Sequence, residues 1–396
     1  MPRDDKNAKI AFIGHKRVPS REGGVEIVAE ELSVRMASRG LDVTLYNRRG
    51  HHISGKDFDN KKLKEYKGVH IKSVFTINKA GLAAMTSSFF ASLRAAFSSC
   101  KIVHYHAEGP CAMMWIPKLF GKRCVATIHG LDHKRAKWGN FASSYIKFGE
   151  KCAVKFADEI IVLSENLKNY FLETYGRETV YIPNGISKAT KCDPQLITEK
   201  YGLIGEDYIL FLGRIVPEKG ISYLIDAFKS VETDKKLVIA GGASDTDEYM
   251  QYIKAMADSD DRIIFTNFVE GRLLAELYSN AYIYILPSDL EGMPLSLLEA
   301  MSYGNCCLTS DIPECAEVVS DKGFTFKKSS IADLNSKLQY LCDNPQTVSD
   351  FSAISADYIC SKYNWDDVVQ KTLSLYNIPQ NMKPTREEKY EDFAHK

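Results

Sequence analysis

The chain lacks any run of about twenty apolar residues, so no membrane-spanning helix is expected. A secretory leader is not expected either: the charged start, Met1 to Lys9, leads straight into the short apolar run Ile10 to Ile13. Net charge is missing too, because 51 Lys and Arg balance 51 Asp and Glu. That balance removes any general electrostatic case for a nucleic-acid partner. The 10 cysteines include no Cys-x-x-Cys pair and no Cys/His cluster at zinc spacing. They read as small, reduced core residues of a cytoplasmic protein. Also absent is a Gly-x-Gly-x-x-Gly run: only Gly14, and then Gly23 and Gly24, are in place. This argues against a nicotinamide dinucleotide enzyme.

What is present is an alternation. Short apolar runs at 10–14, 43–46, 69–74, 102–105, 124–128, 160–163 and 180–182 alternate with helical patterns at 25–39, 82–98, 112–120, 141–156 and 166–174. Strand and helix repeated in this way predict a parallel sheet covered on both faces. Pro183-Asn184-Gly185 interrupts the pattern, and a polar stretch runs through Asp207. The alternation then restarts, with strands expected at 208–212, 237–240, 262–265, 283–286 and 307–308. Helices are expected at 221–231, 247–257, 273–278, 295–302, 331–342 and 366–376. With 396 residues, 45% apolar and 26% charged, the chain suits two domains better than one core. The fold class is α/β: two doubly wound Rossmann-like domains, 1–185 and 186–365, expected to face across a cleft. Sheets of this kind bind ligands outside the carboxyl ends of their strands. Residues 379–396 are polar and aperiodic, a tail by composition.

Two segments carry the chemistry. Pro287-Ser288-Asp289-Leu290-Glu291-Gly292-Met293-Pro294-Leu295 leads into an apolar helical run. It places Glu291 in a Gly/Pro-broken loop and Glu299 one to two turns into a helix. Gly292, Met293, Pro294 and Leu295 form the approach to the helix N-terminus, where backbone N–H groups seat anions. Carboxylates that accept from sugar hydroxyls, beside amides that face phosphate, suit a nucleotide sugar. The second segment, Gly213-Arg214-Ile215-Val216-Pro217-Glu218-Lys219-Gly220, follows the expected strand 208–212. Arg214 offers a planar fork and Lys219 a mobile charge, a clamp for a diphosphate and for the charge that builds as it departs.

Weaker signals surround these. Gly23 and Gly24 open a helix and allow close backbone approach to a ligand. His129 ends the strand expected at 124–128, positioned to hydrogen-bond a sugar or handle a proton. His104, His106 and Glu108 surround the end of the strand at 102–105 and are expected to line an acceptor side. Their spacing supplies two metal ligands on a strand and no third. Asp-x-Asp triplets at 57–59, 245–247 and 258–260 offer Mg²⁺ ligands but read as turns and caps. Trp138, Phe141, Tyr145 and Phe148 alternate with Lys134, Arg135, Lys137, Lys147, Lys151 and Lys155. Such a segment either rests on an anionic membrane surface or packs its aromatic face into the core.

Taken in order, Arg-Glu-Gly-Gly, Thr-Ile-His-Gly, Ile-Pro-Asn-Gly, Gly-Arg-x-x-x-Glu-Lys-Gly and Glu-x7-Glu resemble family 4 retaining glycosyltransferases of the GT-B fold, over roughly residues 8 to 376. The last two motifs are the specific ones. Residues 12–26 look like those of bacterial rhamnosyltransferases of capsule and cell-wall synthesis. The resemblance implies a diphosphate held by Arg214 and Lys219, sugar hydroxyls on Glu291, pentose hydroxyls on Glu299, and Gly23 and Gly24 near the phosphates. It also implies that His129 touches the donor sugar, that the loop with Asn267 meets the base, and that a helix at 366–378 returns to the first domain. It further implies reaction on one face, no metal or other cofactor, a nucleotide-sugar donor such as dTDP-rhamnose, and a glycan or glycolipid acceptor. Peripheral contact with the inner face of the membrane fits such an acceptor. An epimerase or hydrolase of the same fold, or an inactive sugar-nucleotide binder, are the competing readings.

Overall fold

The computed structural model describes residues 8–50, 63–79, 81–134, 139–242 and 247–378. The Asp-x-Asp at 57–59, most of that at 245–247, Arg135, Lys137 and Trp138, and the tail at 379–396 lie outside them. The chain divides into two compact units: Met1–Gly185 together with the segment beginning at Trp365, and Ile186–Asn364.

The first unit holds an eight-stranded sheet. Its strands are β1 (Lys9–Ile13), β2 (Asp42–Arg48), β3 (Glu65–Tyr66), β4 (Val69–Val74), β5 (Ile102–His106), β6 (Arg123–Ile128), β7 (Glu159–Val162) and β8 (Val180–Tyr181). Their spatial order is β3-β4-β2-β1-β5-β6-β7-β8. Every pairing is parallel except that of β3 with β4. β1, β5 and β6 are buried almost throughout, the pattern of a sheet covered on both faces. The helix Trp365–Leu375 packs in this unit: Asp366 pairs with Arg39 at 2.7 Å, and Arg123 Nε donates to the Leu375 carbonyl at 2.8 Å.

The second unit holds a six-stranded, all-parallel sheet. It comprises β9 (Tyr208–Leu212), β10 (Lys236–Ala240), β11 (Ile263–Asn267), β12 (Ile283–Leu286), β13 (Cys306–Ser310) and β14 (Phe324–Phe326), in the order β11-β10-β9-β12-β13-β14. The order reverses between β9 and β12. In the first sheet it reverses between β1 and β5. Such switch points open a crevice at the strands' carboxyl ends.

Several elements depart from the apolar pattern. The helix expected at 112–120 is two short ones, Glu108–Cys111 and Trp115–Leu119. β13 runs past 307–308 because Thr309 and Ser310, polar by type, are fully buried in the ladder. The helices Leu196–Tyr201, Pro313–Val319 and Pro345–Lys362 carry no strong stripe. The last has 18 residues and buries only Val348, Ser355 and Ile359. All ten cysteines are free thiols, and Cys192, Cys342 and Cys360 are the ones not fully buried.

Candidate active site

The switch point of the second sheet gathers the two chemistry-bearing segments. Arg214 and Lys219 lie on the loop that leaves β9, and Glu291 lies on the loop that leaves β12. The loops are pinned together. Gly220 sits at φ 67, where a side chain is strained, and a Cβ there would come within 2.1 Å of the Pro287 carbonyl oxygen. The Asp289 amide donates to the Glu218 carbonyl at 2.8 Å. Lys219 Nζ consequently reaches Glu291 Oε1 at 2.5 Å, across 72 positions of sequence. Their side chains keep 12% and 10% of their surface exposed, so the pair stays open to solvent and to a ligand. Ser288 Oγ, buried, donates to the same Glu291 oxygen at 2.6 Å, and Ser310 Oγ donates to the Ser288 carbonyl.

Gly292, Met293, Pro294 and Leu295 are buried and run into the helix Leu295–Ser302, with Pro294 as its N-cap. The Leu297 and Leu298 amides donate to the Pro294 carbonyl at 3.1 and 3.3 Å, so the anion seat that a helix N-terminus offers falls to the amides ahead of them. Glu299, half-buried, accepts from the Tyr278 hydroxyl at 3.0 Å. Burial and this carboxylate push the Tyr278 hydroxyl's pKa far up, so it remains a donor. Asn267 ends β11 at φ 59 and is exposed. Its carbonyl accepts the Gly241 amide at 2.9 Å, which sets the loop beside it.

In the first unit, Gly23 caps the helix Gly24–Ser38 with an extended φ of −167. Glu26, in the helix's first turn, accepts the Lys16 amide at 2.8 Å. His129, half-buried, follows β6, and its Nε2 lies 3.0 Å from His106 Nδ1. His106 stacks on His104 at 4.5 Å. His104 in turn contacts Thr127 Oγ1 at 2.7 Å and the Tyr376 hydroxyl at 2.5 Å. Burial drives the His104 pKa down to about 3 and the His106 pKa well below the usual imidazole range, so both rings are neutral.

The expectation that His104, His106 and Glu108 line an acceptor surface is therefore corrected: all three are 0% exposed. They sit beneath the surface because β5 is the sheet's central strand, covered on both faces. In the aromatic segment, Phe141 and Phe148 are exposed, whereas Tyr145 is half-buried. The sequence reading missed Tyr278, Ser288 and Ser310, which orient the two carboxylates. Only Ser288 lay inside a motif; the other two are adjacent through the fold alone.

Two family models divide the chain. "Glycosyltransferase Family 4" matches residues 22–189, and "Glycosyl transferases group 1" matches residues 196–358. Alpha-maltose-1-phosphate synthase of Mycolicibacterium smegmatis is 24% identical over 65% of this chain and 73% of its own length. The O-antigen chain mannosyltransferase RfbU of Salmonella typhimurium is 26% identical over 57% of this chain and 61% of its own. Among solved structures, sucrose-phosphate synthase from Thermosynechococcus elongatus superposes with a TM-score of 0.80 at 19% identity, covering 93% of this chain and 98% of that one. Anabaena HepE in complex with UDP-glucose reaches a TM-score of 0.77 at 16% identity, over 93% and 99%.

Proposed function

We propose that this chain, a glycosyltransferase of the GT-B fold with a family 4 match in its first half and a group 1 match in its second, moves a sugar from a nucleoside-diphosphate donor to a growing bacterial surface polysaccharide or lipid-linked glycan. The transfer proceeds with retention of configuration and needs no metal ion. The observation that carries this reading is the Lys219–Glu291 pair, 2.5 Å apart at the switch point of the second sheet. A cation and a carboxylate held there, still partly hydrated, match the two ends of a sugar diphosphate.

When the donor binds, Lys219 and Arg214 take the diphosphate and Glu291 turns to the hydroxyls of the transferred sugar. Glu299, held by Tyr278, accepts from the pentose. The acceptor hydroxyl attacks the anomeric carbon on the face that the diphosphate leaves, and its proton passes to the departing phosphate oxygen. The protein supplies orientation and stabilises the charge that develops on the leaving group. His129, oriented by His106, contacts the donor sugar. The likeness of residues 12–26 to rhamnosyltransferases supports dTDP-rhamnose as donor. Exposed Phe141 and Phe148 beside Lys151 and Lys155 support contact with an anionic membrane surface.

A thermal-shift panel of nucleotide sugars, followed by product analysis with labelled donors and a glycolipid acceptor, tests the reading. A shift with uridine donors and none with thymidine donors would overturn the rhamnosyl assignment. Donor consumption without a glycan product would replace transfer by hydrolysis or epimerisation. Arg214→Ala is expected to lower transfer at least a hundredfold; unchanged transfer removes Arg214 from the clamp. Co-sedimentation with anionic but not neutral vesicles, lost in Phe141→Ser with Phe148→Ser, tests the membrane contact.

A further inference from the structure

Among the residues given no part in the transfer reaction, the first unit contains a further cluster. Glu108 opens the helix Glu108–Cys111, His133 lies in the turn Asp132–Lys134, and Glu150 lies within the helix Asn140–Phe156. One donor atom from each falls within 4.8 Å of the other two. Both glutamates are completely buried. Glu108 Oε1 accepts the Asp132 amide at 3.1 Å, while its Oε2 is buried with no hydrogen-bond partner among the described residues. Glu150 divides in the same way. Its Oε1 takes Lys147 Nζ at 2.8 Å, the Tyr170 hydroxyl at 2.9 Å and the Tyr175 hydroxyl. Its Oε2 has no hydrogen bond among the described residues and faces His133 Nδ1 at 3.4 Å.

Two buried carboxylates this close, each with one oxygen that no donor reaches among the described residues, are costly unless positive charge lies between them. The cluster is built rather than accidental. The helix carrying Glu150 packs so closely on Glu108 that a Cβ at Gly149 would lie 2.1 Å from the Glu108 carbonyl oxygen. His133 also lines an open cavity of about 610 Å³, together with Ser143, Ser144, Lys147, Phe148 and Lys151.

We infer that Glu108 Oε2, Glu150 Oε2 and His133 Nδ1 bind a divalent transition ion, with its remaining positions open to water or to a ligand oxygen in the cavity. Two carboxylate oxygens and one imidazole nitrogen are a donor set for Zn²⁺ or Mn²⁺. Neighbouring ligand atoms around a tetrahedral ion lie about 3.4 Å apart. The His133–Glu150 separation already has that value. The ion ties the segment after β5, the turn after β6 and the helix Asn140–Phe156 into one body. It takes no part in the bond exchange at the donor, and the inference does not depend on which donor binds.

Mn²⁺ is the probe, because the partly exposed thiols of Cys192, Cys342 and Cys360 would compete for Zn²⁺. The chelator-treated full chain is titrated with Mn²⁺ while the free-ion electron paramagnetic resonance signal and the thermal midpoint are followed. One Mn²⁺ per chain is expected, with a rise in midpoint of about 5–10 °C at a hundredfold excess over Kd. Mg²⁺ is expected to give little. Glu108→Gln should abolish the rise and leave the metal-free midpoint unchanged or higher, since it removes an unpaired buried charge. His133→Ala should weaken Mn²⁺ at least tenfold, and it decides alone if Glu108→Gln fails to fold. No Mn²⁺ uptake, or uptake that survives both substitutions, overturns the site and leaves the carboxyl pair holding a proton.

Discussion

The switch points of the two sheets are built from opposite materials. Beside β9 and β12 the groups are ionic and partly wet, Lys219 and Glu291 at 12% and 10% exposure. Beside β1 and β5 they are neutral imidazoles under cover: His104 and His106 are wholly buried and stacked. Gly14, at φ 118, lets the backbone of β1's exit press on the His106 carbonyl, where a Cβ would fall within 2.1 Å. The same fold edge thus carries a charged, partly exposed pair in one unit and a buried neutral stack in the other. An ion pair that keeps some solvent access can exchange its partner for the charged groups of a ligand, which replace the lost interaction. A buried hydrogen-bonded ring gives up its partner only by leaving a polar atom unsatisfied. Among the described residues, every histidine lies in the first unit.

The contrast breaks most visibly at Lys219. Lys219→Met is expected to lower kcat/KM by about 10²–10³, the effect of removing one charge-stabilising donor. The thermal midpoint should move by no more than about 3 °C, and steady-state kinetics with calorimetry read both. A collapse of the midpoint would make this pair a support as well.

Acid sharpens the contrast from the other side. Burial lowers the His15 pKa to about 4 and the His104 pKa to about 3. An unfolded chain takes up these protons once the pH drops below about 6.5, while the folded chain does not. Stability is therefore complete above that value and declines toward pH 4. His15 alone should cost about 2 kcal/mol by pH 5. Hydrogen exchange at pH 5 should show protection lost first within residues 8–185, with a shallower decline in His15→Gln. Protection lost first within 186–364 would contradict the assignment. Among the substitutions at the donor loops, the smaller effect is expected at Glu291→Gln. It keeps the size of the side chain and weakens charge-assisted hydrogen bonds by about 1.5–3 kcal/mol. That appears as a loss of roughly 10–100-fold in kcat/KM, with the fold intact.

The alternation of strands and helices, the break after Pro183 and the two charge-bearing loop segments at 213–220 and 287–299 were legible in the chain alone. Each of these features is local: an apolar run of period two or a buried strand, then a loop whose Gly, Pro and charged residues follow directly. Weakly striped elements such as Pro345–Lys362 were not legible, because tertiary neighbours stabilise them more than their own pattern does.

What only the tertiary structure decided is which loops meet and which polar groups are covered. Lys219 and Glu291 meet across 72 positions, and His104 and Tyr376 across 272. Those contacts follow from strand order, and the period of a sequence carries no information about that order. The burial of His106 and Glu108 has the same origin. A residue at a strand's end is exposed or hidden according to what packs over it, and the helix that covers Glu108 begins some thirty residues further along the chain.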